Sequence, residues 1–157
     1  MPAVRSAGIL LYRRRDAVEV WIAHMGGPFW ARKDEGAWSI PKGIVEATDV
    51  CGELAAAMRE FEEEIGSPPP ATDYVSLGDF PLSSGKKVVV FAAEADGFDP
   101  ETVTSNAFEL EWPPRSGRIQ AFPEIDDARW LPLELARAKL TKGQRPILDA
   151  LVAHLGS

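Results

Sequence analysis

The sequence has few of the residues that form disulfides and zinc sites. A single cysteine, Cys51, excludes a disulfide within the chain and is typical of a reducing compartment, so we expect a cytoplasmic protein. The two histidines, His24 and His154, are far apart and have no cysteine partners, which argues against zinc. There is also no apolar run of about eighteen residues and no long apolar segment after Met1. We therefore expect neither a membrane span nor a signal peptide.

Positive charge is scarcer than negative charge. The 17 lysines and arginines face 24 aspartates and glutamates, which gives a net charge of -7 at pH 7. This balance argues against a nucleic-acid partner, but it allows a small phosphorylated molecule that arrives with magnesium. The length of 157 residues, with 45% hydrophobic and 26% charged residues, predicts one globular domain over residues 1–157. The oligomeric state stays open.

Four carboxylates stand within five residues, in Glu60-Phe61-Glu62-Glu63-Glu64. Like charges one helical turn apart destabilise a helix by about 0.2–0.5 kcal/mol per pair, and a bound cation with oxygen ligands would offset this repulsion. At 100° per residue, Glu60, Glu63 and Glu64 share one face, and Glu62 lies about 160° from Glu60. On spacing alone, a solvated acidic face is an equally good interpretation.

The same helical projection predicts where this helix contacts the core. One narrow apolar stripe contains Leu54, Met58, Phe61 and Ile65. Gly66 and the three prolines at 68–70 predict that the helix ends there. Arg59 stands one turn before Glu63, so the two side chains can pair.

The helix belongs to a longer pattern. Residues 59–66 read R-E-F-E-E-E-I-G, Gly43 stands sixteen positions before Arg59, and Trp38-Ser39-Ile40-Pro41-Lys42 precedes that glycine. This arrangement resembles the Nudix signature, G-x5-E-x7-R-E-U-x-E-E-x-G-U, where U is a bulky aliphatic residue. The block at 105–126 is similar to that of a MutT-like bacterial subgroup. The resemblance implies an α+β fold, an α/β/α sandwich with a mixed β-sheet between helices.

The resemblance also implies a function. Nudix hydrolases use Mg2+ or Mn2+ to cleave a phosphoanhydride bond in a nucleoside diphosphate linked to another moiety, such as a nucleoside triphosphate or a dinucleoside polyphosphate. It implies that the metal is held by the Gly43 carbonyl, Glu60, Glu63 and Glu64, and that Glu63 and Arg59 are catalytic. The alternative is a catalytically inactive Nudix-fold module that binds nucleotides. The intact R-E-x-x-E-E core argues against that alternative.

One departure from the signature lies between Gly43 and Arg59, which are two positions further apart than the pattern allows. We place a two-residue insertion within 49–53, where a loop becomes the helix and insertions cost little. Asp49 or Glu53 then takes the place of the first signature glutamate.

The loop before Gly43 carries the predicted substrate contacts. Arg32, Lys33 and Lys42 supply positive charge for phosphates, and Trp30 supplies an aromatic face for a base. Trp38 fits a core position better than a ligand contact. Five strands are predicted, at 7–12, 18–25, 74–82, 87–93 and 129–131. Helices are predicted to open at Pro132 and to cover 144–155, whereas 96–117 reads as irregular.

Overall fold

The computed structural model describes residues 5–46, 52–70, 73–82, 85–100 and 103–156. Within these residues the strands are β1 (Arg5–Arg14), β2 (Val18–Met25), β3 (Trp38–Ser39), β4 (Lys42–Ile44), β5 (Val75–Pro81), β6 (Lys87–Glu94), β7 (Ala107–Glu111), β8 (Ile119–Pro123) and β9 (Ile125–Pro132). The helices are α1 (Glu53–Ile65), α2 (Leu133–Lys139) and α3 (Arg145–Leu155). No helix in these ranges is long and apolar enough to cross a membrane.

Seven strands form a mixed sheet in which β1 is central. The order is β3-β2-β1-β6-β5, with β4 also paired to β1 and β9 to β2. The β1–β6 pair is parallel, and the other pairs are antiparallel. The predicted hairpin of β1 and β2 is confirmed, with Leu11 opposite Trp21. The predicted strands at 74–82 and 87–93 correspond to β5 and β6.

Alternating side chains of β1 fill two separate cores. Ile9 and Leu11 face α1, whereas Leu10 and Tyr12 face α2 and α3. Because successive residues of a strand point to opposite faces, a strand covered on both sides reads as a continuous apolar run. The predicted α/β/α sandwich with a mixed sheet between helices is therefore confirmed.

The prediction that 96–117 is irregular is wrong in part. Strand β7 forms within it and pairs with β8 as a separate two-stranded sheet. Most residues of this hairpin are exposed or half-buried, so the apolar alternation that marks a strand is weak there. The last predicted strand, 129–131, is the end of the longer β9, and a 3₁₀ turn at Lys142–Gln144 delays the start of α3 to Arg145. Part of the predicted turn at 83–85 lies outside the described residues.

The predicted apolar stripe of α1 is half right. Phe61 and Ile65 are fully buried, but Met58 is 36% exposed and Leu54 is only half-buried. Ala56 and Ala57 are buried instead. Small side chains let α1 approach the sheet closely, and this turns the helix away from the orientation that the larger residues suggested. Gly66 ends the helix as predicted, in the left-handed conformation with φ 90°, and its N–H donates to the Glu62 carbonyl at 2.8 Å.

Candidate active site

The side chain of Glu60 on α1 rests directly on the backbone of Gly43 in β4. A Cβ atom built on Gly43 would lie 2.0 Å from both Cδ and Oε2 of Glu60. β4 is held in place by antiparallel pairing with β1, with Gly43 opposite Ala7. Only glycine permits this approach, which brings the carboxylate against the main chain of the strand. The first and the last parts of the signature therefore meet at one point.

Arg59 links two of the signature glutamates and the strand. Its Nη1 donates to Glu60 Oε1 at 2.9 Å and lies 3.3 Å from Glu63 Oε2, and its Nη2 donates to the Ile44 carbonyl at 3.2 Å. The predicted pairing of Arg59 with Glu63 is confirmed. Glu60 is the more buried of the two glutamates, with a side chain 14% exposed against 41% for Glu63. Glu62 is exposed, apart from this network.

Acidic side chains cluster where α1 faces β4. Burial raises the pKa of Glu60, and the Arg59 guanidinium only partly opposes this. Burial raises the pKa of Glu64 to about 8, and the carboxylate of Glu124 adds to the rise. Lys42 opposes the rise at Glu64 through its charge and through a backbone hydrogen bond. Three carboxylates from two distant segments thus repel one another at this site.

The donor set suits a hard divalent cation. Carboxylate oxygens and a backbone carbonyl are the ligands that Mg2+ and Mn2+ prefer, and a cation would neutralise the mutual repulsion of Glu60, Glu64 and Glu124. As the side chains stand, no three acidic, histidine or cysteine residues in the described ranges are grouped tightly enough to hold an ion. Arg59 Nη1 instead lies between Glu60 and Glu63.

Trp30 lines two cavities. The first, which we call the apolar cavity, has a volume of about 360 Å³ and is lined by residues 25–30, Phe108, Leu110 and Glu124. The second, the lysine cavity, has a volume of about 590 Å³. Its lining residues are Met25, Trp30, Ser39, Lys42, Leu82, Lys86, Thr141, Lys142, Gly143 and Gln144. Both cavities adjoin the carboxylates, one through Glu124 and the other through Lys42.

Comparison with protein families identifies the family of this chain. A family model described as NUDIX domain matches residues 2–151. The chain belongs to the NUDIX domain family. The family match and the structural relatives support an enzyme of the pyrophosphohydrolase class, which acts on acid anhydrides. A comparison with curated protein sequences gives no match.

Solved structures share the fold of this NUDIX domain at low sequence identity. A Caenorhabditis elegans Ap4A hydrolase binary complex has a TM-score of 0.68 and 21% identity, with 98% of each chain covered. The NUDIX domain of Shewanella oneidensis NrtR, complexed with ADP ribose, has a TM-score of 0.65 and 15% identity, covering 99% of this chain and 90% of that one. A MutT protein from Methanosarcina mazei Go1 has a TM-score of 0.62 and 17% identity, with 99% and 97% covered. These likenesses show the fold.

The predicted substrate residues of this NUDIX domain fall into two groups. Trp30 is half-buried, and Lys42 lies next to Gly43, so both border the carboxylates. Arg32 and Lys33 line a different cavity together with His24, Asp126 and other charged residues. The His24 ring fixes this part of the loop, because its Nε2 donates to the Lys33 carbonyl at 2.7 Å and its Nδ1 lies 2.6 Å from Asp126 Oδ1. The Lys33 ammonium lies 3.6 Å from the centroid of the Phe29 ring.

Trp38 belongs to the core of this NUDIX domain, as expected. It is 5% exposed, and its Nε1 donates to Asp34 Oδ1 at 2.9 Å. Of the two candidates for the first signature glutamate, Asp49 lies outside the described residues, as does part of the proposed insertion. Glu53 begins α1 and accepts a hydrogen bond from Arg5 Nε at 2.6 Å.

Sequence reasoning missed Glu124, Lys86 and Lys142. Glu124 follows β8, and its backbone is fixed by hydrogen bonds with Gly26 and Asn106. The two lysines come from the segment before β6 and from the turn before α3. No local pattern marks these residues, because only the folded chain brings Glu124 near Glu60 and Glu64 and brings the two lysines to the cavity that Lys42 lines.

Proposed function

We propose that this enzyme uses Mg2+ or Mn2+ to hydrolyse a phosphoanhydride bond in a nucleoside diphosphate linked to another moiety. Nucleoside triphosphates and dinucleoside polyphosphates are the substrate types we favour. The single observation that carries the proposal is the contact between the Glu60 carboxylate and the Gly43 backbone, beside the raised pKa values of Glu60 and Glu64. Buried carboxylates that repel one another form a site whose stability depends on a cation.

The metal would be held by the carbonyl of Gly43 and the carboxylates of Glu60, Glu63 and Glu64. When bound, a divalent ion neutralises the phosphates, stabilises charge on the leaving oxygen and lowers the pKa of bound water. Glu124 is a further carboxylate of this site, because its negative charge raises the pKa values of Glu64 and Glu60. The donor atoms are all oxygen, which matches the preference of both proposed ions.

The protein's own residues orient the water and the substrate. Arg59 holds Glu63 in place, and the 41% exposure of the Glu63 side chain leaves it open to solvent and able to accept a proton from water. The Lys42 ammonium interacts with Glu64 and Glu60, and burial lowers its pKa. It can therefore contact a phosphate oxygen beside the carboxylates. Arg32 and Lys33, the other predicted phosphate contacts, line a different cavity, but the Lys33 ammonium lies 3.6 Å from the centroid of the Phe29 ring, which lines the apolar cavity.

The organic end of the substrate fits beside Trp30. The apolar cavity is lined mainly by aromatic and aliphatic side chains, and Glu124 stands at its border with the carboxylates. A base stacked there would contribute about 1–3 kcal/mol per aromatic contact. Two structural relatives, the Ap4A hydrolase and the NrtR NUDIX domain complexed with ADP ribose, are consistent with a nucleotide substrate.

A panel of nucleotide substrates tests the proposal. We expect phosphate-containing products with Mg2+ or Mn2+ and none with a chelator, and we expect Glu60→Gln to abolish the activity of the folded enzyme. Failure to hydrolyse any nucleoside triphosphate, dinucleoside polyphosphate or nucleoside diphosphate derivative at saturating metal would overturn it.

A further inference from the structure

The lysine cavity is a site of concentrated positive charge in an acidic protein. Lys42, Lys86 and Lys142 line it, and no aspartate or glutamate is among its lining residues. Within the described residues, no ion pair neutralises any of the three ammonium groups. The chain as a whole carries a net charge of -7. Such a local reversal of sign attracts anions and repels cations.

Hydrogen bonds fix part of the cavity wall. Gln144 is 2% exposed, its Oε1 accepts from the Ile40 N–H at 2.9 Å, and its Nε2 donates to Ser39 Oγ at 2.8 Å. These bonds hold the turn that carries Lys142 against the strand segment that leads to Lys42. The N-terminal end of α3 follows this turn, so the positive end of its dipole adds to the field of the lysines.

The cavity borders the carboxylate site through Lys42. This lysine lines the cavity, is attracted by the charges of Glu64 and Glu60, and is repelled by Lys86. The Glu60 carboxylate rests on the backbone of the next residue, Gly43. A phosphate chain cleaved beside Glu60 and Glu64 would therefore extend past Lys42 toward Lys86 and Lys142.

We propose that the lysine cavity binds the terminal phosphates of a polyphosphate chain and so favours substrates with long phosphate chains over nucleoside diphosphate derivatives. This selectivity rests on the proposed hydrolase function, whereas anion binding by the cavity does not. The apolar cavity shares Met25 and Trp30 with the lysine cavity but none of its lysines, so base and phosphate chain would contact different side chains.

Inorganic tripolyphosphate is a suitable probe, titrated calorimetrically into the full chain with chelator present. Without a cation the carboxylates repel this anion, so binding reports the lysines. We expect the double variant Lys86→Gln/Lys142→Gln to bind at least about tenfold more weakly than wild type, because charge-assisted hydrogen bonds are lost. Higher salt should weaken wild-type binding more than that of the double variant. Lys87→Gln is the matched control, since Lys87 is an exposed neighbour of Lys86 that does not line the cavity.

Equal affinity of wild type and the double variant would overturn the proposal, and so would an equal loss in Lys87→Gln.

Kinetics provide a second test. The ratio of the KM of the double variant to that of wild type should be about tenfold larger for a long-chain substrate than for a nucleoside diphosphate derivative. Lysine-dependent tripolyphosphate binding without hydrolysis of any nucleotide would refute the proposed function and support the anion site. Metal-dependent hydrolysis together with tripolyphosphate binding that does not depend on the lysines would support the proposed function and refute the anion site.

Discussion

The contact between Gly43 and Glu60 leads to a sharp prediction for Gly43→Ala. The added Cβ would lie 2.0 Å from Glu60 Cδ and 2.5 Å from its Cγ, whereas an ordinary contact is 3.4 Å or more. The end of the Glu60 side chain must therefore move by about 1.4 Å, the difference between 3.4 and 2.0 Å. A displacement of about 1 Å in a catalytic array lowers the rate on the order of 100-fold, or about 2.7 kcal/mol in the barrier.

Gly97→Ala is the matched control for this substitution. Neither glycine has a φ in the left-handed range, but a Cβ at Gly97 would meet no atom within 4 Å. We expect kcat for the best nucleotide to fall about 100-fold in Gly43→Ala and to stay within about twofold of wild type in Gly97→Ala. Circular dichroism establishes that both variants are folded. Wild-type kcat in a folded Gly43→Ala protein would refute the assigned role of this contact.

Three further predictions concern Glu64, Arg59 and Trp30. Because the pKa of Glu64 is raised from 4.5 to about 8, its protonated form stabilises the metal-free fold. This stability is complete below pH 4.5 and is lost as the pH rises through about 8. In chelator, the unfolding free energy of wild type should fall between about pH 4.5 and 8 relative to Glu64→Gln, and parallel curves would contradict this. Arg59→Lys should lower kcat about tenfold. An ammonium group cannot reproduce the guanidinium contacts with Glu60, Glu63 and the Ile44 carbonyl. An unchanged kcat would count against a positioning role for Arg59. Trp30→Ala should raise KM with little change in kcat, and an unchanged KM would place the base elsewhere.

The parts of the fold that could be predicted are those with a local signal. The β1–β2 hairpin shows an apolar run followed by an alternating strand, and both are visible in the sequence. Helix α1 has a clear stop at Gly66 and a continuous charge pattern. Its buried face was only partly predicted, because a projection weighted by large apolar residues favours Met58 over Ala57. In the structure the smaller side chain is the one that contacts the sheet.

The parts of the site that could not be predicted come from distant segments. Glu124 and Lys86 carry no local motif, and their roles appear only when β8 and β6 are placed in the fold. The phosphate contacts of Arg32 and Lys33 stay a prediction. The bonds of His24 fix their loop beside a cavity that neither Lys42 nor Gly43 lines, so nearness to Gly43 along the chain does not decide their role.

In the proposed mechanism, Glu60 helps to hold a divalent cation at a catalytic site. The most direct measurement compares Mg2+-dependent nucleotide hydrolysis by Glu60→Gln with that by Glu62→Gln, at matched folding and saturating metal. Both substitutions remove one carboxylate from the same helix, but Glu60 rests on Gly43 and Glu62 is exposed. We predict a loss of kcat of about 100-fold or more in Glu60→Gln and less than about threefold in Glu62→Gln. Equal losses in the two variants, or hydrolysis that persists in chelator, would contradict the account.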